Sequence, residues 1–419
     1  MKDLKFLFFL IISFTIFFGA VWFVETHPST VVYFSDSLRT AGKNVAAVFF
    51  HESVTMSELN QKYQNQNSSK GKVNLLIVPG HEPDLGGAEY NGLKERDMAV
   101  DLSDYLLSFL KNNDHYKITI TRDKQDWNQT FSNYFANNWN SIVAFVANQK
   151  SQMKSLMNVG TIVPVSSAYH TVAKPDIALR LYGVNKWANE NNIDIEIHVH
   201  FNDYPRHKQS IPGEYSGITI YVPEGQYSNS TTTRAIAKTV LSRLSRYNAV
   251  SNLPKENAGV VEDQDLIAVG SNNNADAASM LIEYGYIYEP QFQNATVRDM
   301  TLKDLAYQTY LGLEDFFGGQ TGHSIAYDTL MLPHEWQKTI SKSTSKLATT
   351  DVLALQSALV IDGEYLNGDV SKNDCPRSGI FGDCTMKALS EFQDKYNITG
   401  EKGIVGLKTI AKLNSLYGI

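Results

Sequence analysis

The chain reads as an α/β protein, a mixed β-sheet flanked by helices, followed by a small all-α three-helix C-terminal domain. Three observations predict this. Short apolar or alternating runs at 73–78, 117–121, 193–202, 218–222 and 279–282 read as strands, with helical stretches between them, the order that covers a sheet with helices. The segment 94–113 carries Met98, Leu102, Tyr105, Leu106 and Phe109 at helical spacing, an apolar stripe made to lie on a sheet. Beyond Gly318-Gly319 and a Lys/Ser/Thr-rich stretch, residues 351–419 form a compact final unit with a short internal echo.

At 419 residues the chain is too long for one ordinary domain, so two or three are expected. Hydrophobic content of 43% and charged content of 19% are those of a folded globular protein,. A net charge of -7, with no basic block, gives no reason to expect nucleic acid,.

The N-terminus predicts an address. Residues 6–24 are almost unbroken apolar and follow Lys2 and Lys5. About 20 such residues cross a bilayer as a helix, and positive charge ahead of them keeps the N-terminus in the cytoplasm and exports the rest. Residues 1–26 are thus a membrane anchor or a signal segment. An uncleaved anchor is the reading adopted, because Gly19-Ala20-Val21, the small-residue candidate for cleavage, lies inside the run,. Residues 27–71, ending in an Asn/Gln/Ser-rich run at 61–70, read as a membrane-proximal stalk in which 31–34 and 45–50 are able to pair locally,. The two cysteines, Cys375 and Cys384, lie close together. In an exported protein they predict a disulfide, and no second Cys or His cluster nearby would complete a zinc site with them.

The main domain is expected over 72–317, with a helix at 176–189 leading into the strand at 193–202. An Asn- and Ser-rich, partly helical insertion at about 128–175 is either a lid over the cleft or a passive surface addition,. Residues 318–350 read as a linker.

Chemistry concentrates in the strand at 193–202. Ile193, Ile195, Ile197, Val199 and Phe201 alternate with Asp194, Glu196, His198, His200 and Asn202, so both histidines and Asn202 emerge on one face. His81 follows Pro79-Gly80 at the end of the first strand, and Glu95 opens the helix after it. His, Glu and His, each at the end of a regular element, make a three-ligand site with an open fourth position, as a catalytic zinc needs. Each residue also has a plainer reading. His81 suits a turn, Glu95 suits the first turn of any helix, His198 suits a buried structural role, and Glu283 suits the end of the apolar run Met280-Leu281-Ile282.

These residues together resemble a known family. Leu75-Leu76-Ile77-Val78-Pro79-Gly80-His81, Gly86-Gly87-Ala88, Leu93-Lys94-Glu95-Arg96-Asp97, Thr121-Arg122-Asp123, the stretch 180–185, His198-Val199-His200-Phe201-Asn202, Ser216-Gly217-Ile218 and Leu281-Ile282-Glu283-Tyr284-Gly285-Tyr286-Ile287 are similar, in order, to zinc-dependent N-acetylmuramoyl-L-alanine amidases of type 3. The resemblance implies a hydrolase cutting the amide between N-acetylmuramic acid and the L-alanine of the peptidoglycan stem. It implies Zn2+ held by His81, Glu95 and His200, with Glu283 as the catalytic glutamate. Val78 stands where the family commonly has Asp, and Glu82 where it has Gly, which bears on the surroundings of the ligands rather than on the ligands.

The final unit, 351–419, resembles a three-helix peptidoglycan-binding domain. Asp351, Leu355, Gln356 and Leu359 match its first helix. Ser378-Gly379-Ile380-Phe381-Gly382 with Thr385, Ala388, Phe392 and Gln393 match the loop and second helix. Lys402-Gly403-Ile404-Val405-Gly406 with Thr409 and Leu413 repeat that loop before the last helix. Thr385 and Thr409 are expected to satisfy free amides at helix N-termini. Such a module tethers an enzyme to the wall and raises local substrate concentration. The expected setting is extracytoplasmic, in cell wall or periplasm, with peptidoglycan and the membrane as partners; a protein activator is compatible with these features. Two other classes share them: a zinc cell-wall peptidase or carboxypeptidase, and a non-catalytic wall-binding regulator.

Overall fold

The structure is a computed structural model, and it describes residues 53–65, 71–166, 173–205, 208–270, 273–274, 276–318, 327–365 and 372–419. The apolar segment 6–24 and the runs 31–34 and 45–50 lie outside the described residues. Among the described residues no helix is long and apolar enough to cross a membrane.

Among the described residues six strands form one sheet: β1 (Val73–Pro79), β4 (Tyr116–Ile120), β5 (Ile195–Asn202), β6 (Thr219–Pro223), β7 (Val260–Asp263) and β8 (Ala278–Tyr286). Their order is β4-β1-β5-β8-β6-β7, with β2 (Glu89–Tyr90) and β3 (Leu93–Lys94) as a separate small ribbon. β4, β1, β5 and β8 are mutually parallel, while β6 runs antiparallel to β8 and carries β7 parallel to itself. The sheet is therefore mixed, as expected. β7 has no counterpart in the sequence reading, because four residues ending in Glu262-Asp263 carry too short a pattern.

Helices cover both faces. α2 (Glu95–Lys111), α5 (Ser230–Tyr247) and α7 (Ala295–Phe316) bury Met98, Leu102, Leu106, Val240, Leu244, Leu305 and Leu313 against Leu75, Ile77, Ile197, Val199 and Ile282. On the other face, α3 (Gln129–Asn158) and α4 (Pro175–Glu190) bury Phe131, Phe135, Ile142, Tyr182 and Trp187 against Leu76 and Val78. Burial on both faces explains the unbroken apolar run of β1. The insertion is more regular than its composition suggested. It is a continuous 30-residue helix whose N-terminal half is part of the second core. α6 (Pro290–Gln293) is a short turn before α7.

The stalk reading needs correction at its end. α1 (Met56–Gln64) opens with a capping box between Thr55 and Glu58, buries Leu59 and Tyr63, and gives the Tyr63 hydroxyl to Glu314 at 2.7 Å. Two apolar residues one turn apart are enough to dock a nine-residue helix, and too few to stand out in a polar sequence,.

The C-terminal unit has the expected three helices, α8 (Thr350–Asp362), α9 (Asp383–Lys395) and α10 (Leu407–Tyr417). Cys375 and Cys384 are bonded to each other. The stretch expected to link is packed from Tyr327 onward. Leu332, Trp336 and Ile340 belong to the same core as Leu355, Phe392 and Leu413, and Ile340 bridges Val405. Thr385 and Thr409 do not cap. The residues preceding α9 and α10 are Gly382 and Gly406, and both threonines are buried. Instead the repeated motif builds one device twice. Gln356 accepts from Gly379 N at 2.9 Å and donates to Ile380 O at 3.1 Å and Thr385 Oγ1 at 2.9 Å. Gln393 accepts from Gly403 N at 2.8 Å and donates to Ile404 O at 2.8 Å and Thr409 Oγ1 at 2.9 Å. The echo in the sequence is thus a buried glutamine tying each loop to its helix.

Candidate metal centre

β1 ends at Pro79, and Gly80 N still donates to Val199 O at 2.9 Å, so His81 leaves the sheet directly beside β5. His81 has φ of 69°, a left-handed conformation uncommon for a residue with a side chain,. Arg122 fixes that turn. Fully buried, it donates to Pro79 O at 3.2 Å, to Gly80 O, and to Arg96 O at 3.0 Å. Glu95 is the first residue of α2, held by Ala88 N at 2.7 Å and Phe201 N at 3.1 Å. His200 stands on the interior of β5, side by side with Glu283 of β8.

Three of the four expected residues converge. Glu95 Oε1 lies 2.8 Å from His81 Nε2 and 3.0 Å from His200 Nδ1. One ligand atom from each of the three lies within 4.8 Å of the others. The packing leaves no slack around them. A Cβ on Gly80 would come 2.5 Å from the His200 ring, and one on Gly87, at φ +86°, would come 2.9 Å from His81 and 3.1 Å from Glu95. Only glycine fits at either position.

The electrostatics suit a cation. Burial by itself raises the Glu95 carboxyl, but the adjacent His81 imidazole and the hydrogen bond with His200 reverse this and hold it well below the usual carboxylate range. Burial pushes the His200 imidazole down to about 4, so it is neutral at neutral pH. A carboxylate and a neutral imidazole are the forms that ligate metal. Despite its closeness to Glu95, His81 Nε2 has no hydrogen bond of acceptable geometry, and it is buried. An orphaned imidazole nitrogen facing a carboxylate and a second histidine fits a metal ligand.

Glu283 sits one strand over. It is not at the end of its strand, as expected, but within it, since β8 runs on to Tyr286. Its Oε2 is buried with no hydrogen-bond partner among the described residues. Burial, and then the charges of Glu95, Glu256 and Asp203, push its carboxyl well above the ordinary range. His198 points to the same face but joins another pair. Its Nε2 lies 2.8 Å from Glu196, whose other oxygen accepts from Asn274. Asn202 donates to Glu256 at 3.1 Å.

Three further residues shape the site without having been assigned a role from sequence. Arg122 was legible only as part of a motif. Glu256, fully buried, also accepts from Tyr221 at 2.6 Å, Ser251 at 2.5 Å and Tyr286 at 3.1 Å, gathering the ends of β5 and β8 and the middle of β6. Glu82, next to His81, accepts from the Trp127 indole at 3.0 Å and from Arg180 at 2.9 Å. It ties the loop of His81 to the start of the insertion and to α4.

Comparison with known proteins decides the family. Residues 75–315, more than half of the chain, match the family of N-acetylmuramoyl-L-alanine amidases. The chain belongs to that family. It is a peptidoglycan hydrolase, an N-acetylmuramoyl-L-alanine amidase, and residues 349–413 of the amidase match a peptidoglycan binding domain. No curated protein matches the chain. Among solved structures, it is similar to the amidase Ami1 of Mycobacterium smegmatis, at 13% identity and a TM-score of 0.38, covering 59% of this chain and 98% of that one. The CwlD amidase of Clostridioides difficile, solved in complex with the GerS lipoprotein, is similar at 16% identity and a TM-score of 0.37, with 59% and 99% covered. AmiC2 of Nostoc punctiforme is similar at 14% identity and a TM-score of 0.34, with 59% and 97% covered. An amidase of peptidoglycan with a wall-binding module works in the cell wall or elsewhere outside the cytoplasm. All four residues named from sequence fall inside the matched segment of the amidase.

Proposed function

We propose that this amidase holds a zinc ion with His81, Glu95 and His200 and uses Glu283 as its general base and acid. The observation that carries the reading is the convergence of three ligand atoms within 4.8 Å beside a carboxylate whose Oε2 has no hydrogen-bond partner among the described residues. Two imidazoles and one carboxylate form a donor set suited to zinc with an open position. When bound, the ion acidifies a water and polarises the scissile carbonyl.

The rest is done by the chain. Glu283 takes a proton from the attacking water as its oxygen bonds to the lactyl carbonyl carbon. As the carbon–nitrogen bond breaks, Glu283 returns that proton to the alanine nitrogen, which leaves as the amine of the stem peptide. The rigid β8 strand fixes the carboxylate beside His200, so base and ligand shift together or not at all.

The proposed division of labour is an anchor at 6–24, a catalytic domain at 72–317 and a wall-binding domain at 351–419. Mass spectrometry of peptidoglycan digested by residues 30–419 tests the chemistry, with a chelator and Glu283→Gln as parallel reactions. Free stem peptides beginning with L-alanine, lost in both controls, are expected. Cuts inside the stem would make it a peptidase, and no release in any reaction would leave a wall-binding regulator.

A further inference from the structure

We propose that the wall-binding module is not a tether but a fixed part of the substrate surface of the amidase, pinned by Arg377 so that cutting occurs at a set distance from where the module grips the wall.

The pin is a buried ion pair across the two domains. Arg377 of the module donates to Asp304 of α7 at 2.7 Å, with side chains 2% and 0% exposed. Its guanidinium also donates to Ser357 Oγ at 3.1 Å and lies 4.9 Å from the centre of the Tyr247 ring of α5. A buried pair of this kind fixes the docked register, because any other seating would leave one of the two charges desolvated without its partner. A freely swinging module has no use for it.

The surroundings of the pin are fastened as well. Asp304 accepts through its second oxygen from Thr329 at 2.9 Å and Leu330 N at 2.9 Å, so the chain entering the module is held by the same residue. Gln308 of α7 donates to Asp328 O at 2.7 Å. An apolar patch of Val297 and Met300 from α7 with Met331, Ala348, Leu353 and Ile380 closes the seam. On the far side of Arg377, Lys372 donates to the last carbonyls of α5, Ser245 O and Arg246 O, and Asn373 donates to Val250 O at 3.1 Å and accepts from Ser216 at 2.7 Å. The Cys375–Cys384 bond ties this short loop back to the start of α9.

The location of the contact gives the docking its function. Ser216 lies three residues before Thr219, which pairs with Glu283 across the sheet. Three residues span at most about 10 Å, so the module touches the catalytic domain at the end of the sheet that carries the candidate metal cluster. Ser251, beside Val250, is hydrogen bonded to Glu256. A module fixed there extends the catalytic surface along the polymer, whereas a tether would only raise local concentration.

The inference rests on the amidase activity and is tested apart from it. In the full soluble chain, rotational tumbling of labels in each domain is compared with cleavage of a soluble muramoyl-peptide and of intact peptidoglycan. Arg377→Ala leaves the Asp304 carboxylate without its partner in the docked arrangement and so favours the undocked one. Lys372→Ala with Asn373→Ala loosens the rim without touching the buried pair. The wild type is expected to tumble as one body. Undocked variants are expected to cleave the soluble substrate and bind the wall as before, yet to cleave intact peptidoglycan at least tenfold more slowly. Independent tumbling of the wild-type domains, or undocked variants that digest intact peptidoglycan at the wild-type rate, would overturn it. A wild type unable to cleave the soluble substrate would strike the amidase reading, while tumbling would still judge the docking.

Discussion

At the scale of single residues, the site divides into groups that touch the reaction and groups that hold them. Glu283→Gln keeps shape and removes the proposed base, so on the proposed mechanism stem-peptide release should fall by about 10²–10⁴-fold while metal content is unchanged. Equal loss of metal would show that Glu283 is a ligand instead. Glu82 acts through its neighbour. Glu82→Ala strands the Trp127 indole and Arg180, and should weaken metal binding by about 10–100-fold in competition with a chromogenic chelator. Glu82→Gln, which keeps an acceptor, should recover much of that loss, and equal affinity in all three proteins would remove the role. His200 carries a pH signature. Burial lowers its folded pKa to about 4 from an ordinary 6.5, so between these values the unfolded chain binds the extra proton. Stability of the metal-free protein should therefore fall as pH drops from about 6.5 towards about 4, with no contribution from this group above that window. Thermal melts at steps across the window read it directly, and His200→Asn should flatten the slope. An unchanged slope would assign the acid sensitivity elsewhere.

At the scale of elements, the 30-residue helix α3 decides whether the insertion is ornament or structure. Phe131 and Phe135 fill the second core with Trp187 and Tyr182, and Phe131 is in ring contact with Trp187 at 4.7 Å. Phe131→Ala should cost about 3–5 kcal/mol in denaturant unfolding, a large share of a typical domain's stability. A change near zero would mark the helix as peripheral. Excising 129–158 would strip one face of β1, so loss of activity on deletion cannot by itself indicate a lid. The sequence composition hid this because the exposed sides of α3 are Asn-, Ser- and Gln-rich. α7 was hidden for the opposite reason. It is buried nearly all round, including Asp304, Gln308, Thr309 and Glu314, and a helix without a solvent face has no stripe to read.

At the scale of the whole molecule, the catalytic and wall-binding domains join through a seam of an ion pair, hydrogen bonds and an apolar patch rather than a loose connector. The disulfide closes a separation of only 9 residues, so replacing both cysteines by serine should cost about 2–4 kcal/mol, towards the lower end for so short a loop. The loss should appear in the melting of the module and loosen its seat on α5 and α7. An unaltered melting curve would make the bond ornamental. The seam also changes what truncation means. Removing 351–419 would expose Asp304 and the apolar residues Val297 and Met300 of the catalytic domain, so a truncated protein tests more than wall binding.

What the sequence determined by itself was short-range. Strict alternation put His200 on one face of β5, a Pro-Gly break ended β1 at His81, and an acidic residue opened α2. Each of these signals spans ten residues or fewer and follows from local backbone preferences. With the family likeness they named the cluster that the fold brings together. Tertiary structure decided the rest. Arg122 gripping the turn at Gly80, Glu82 reaching Trp127 and Arg180, Glu256 collecting three strands, and Arg377 meeting Asp304 join positions from 30 to 98 residues apart. A buried polar side chain is stable only where distant donors and acceptors meet it, and no local pattern records where the chain will bring them.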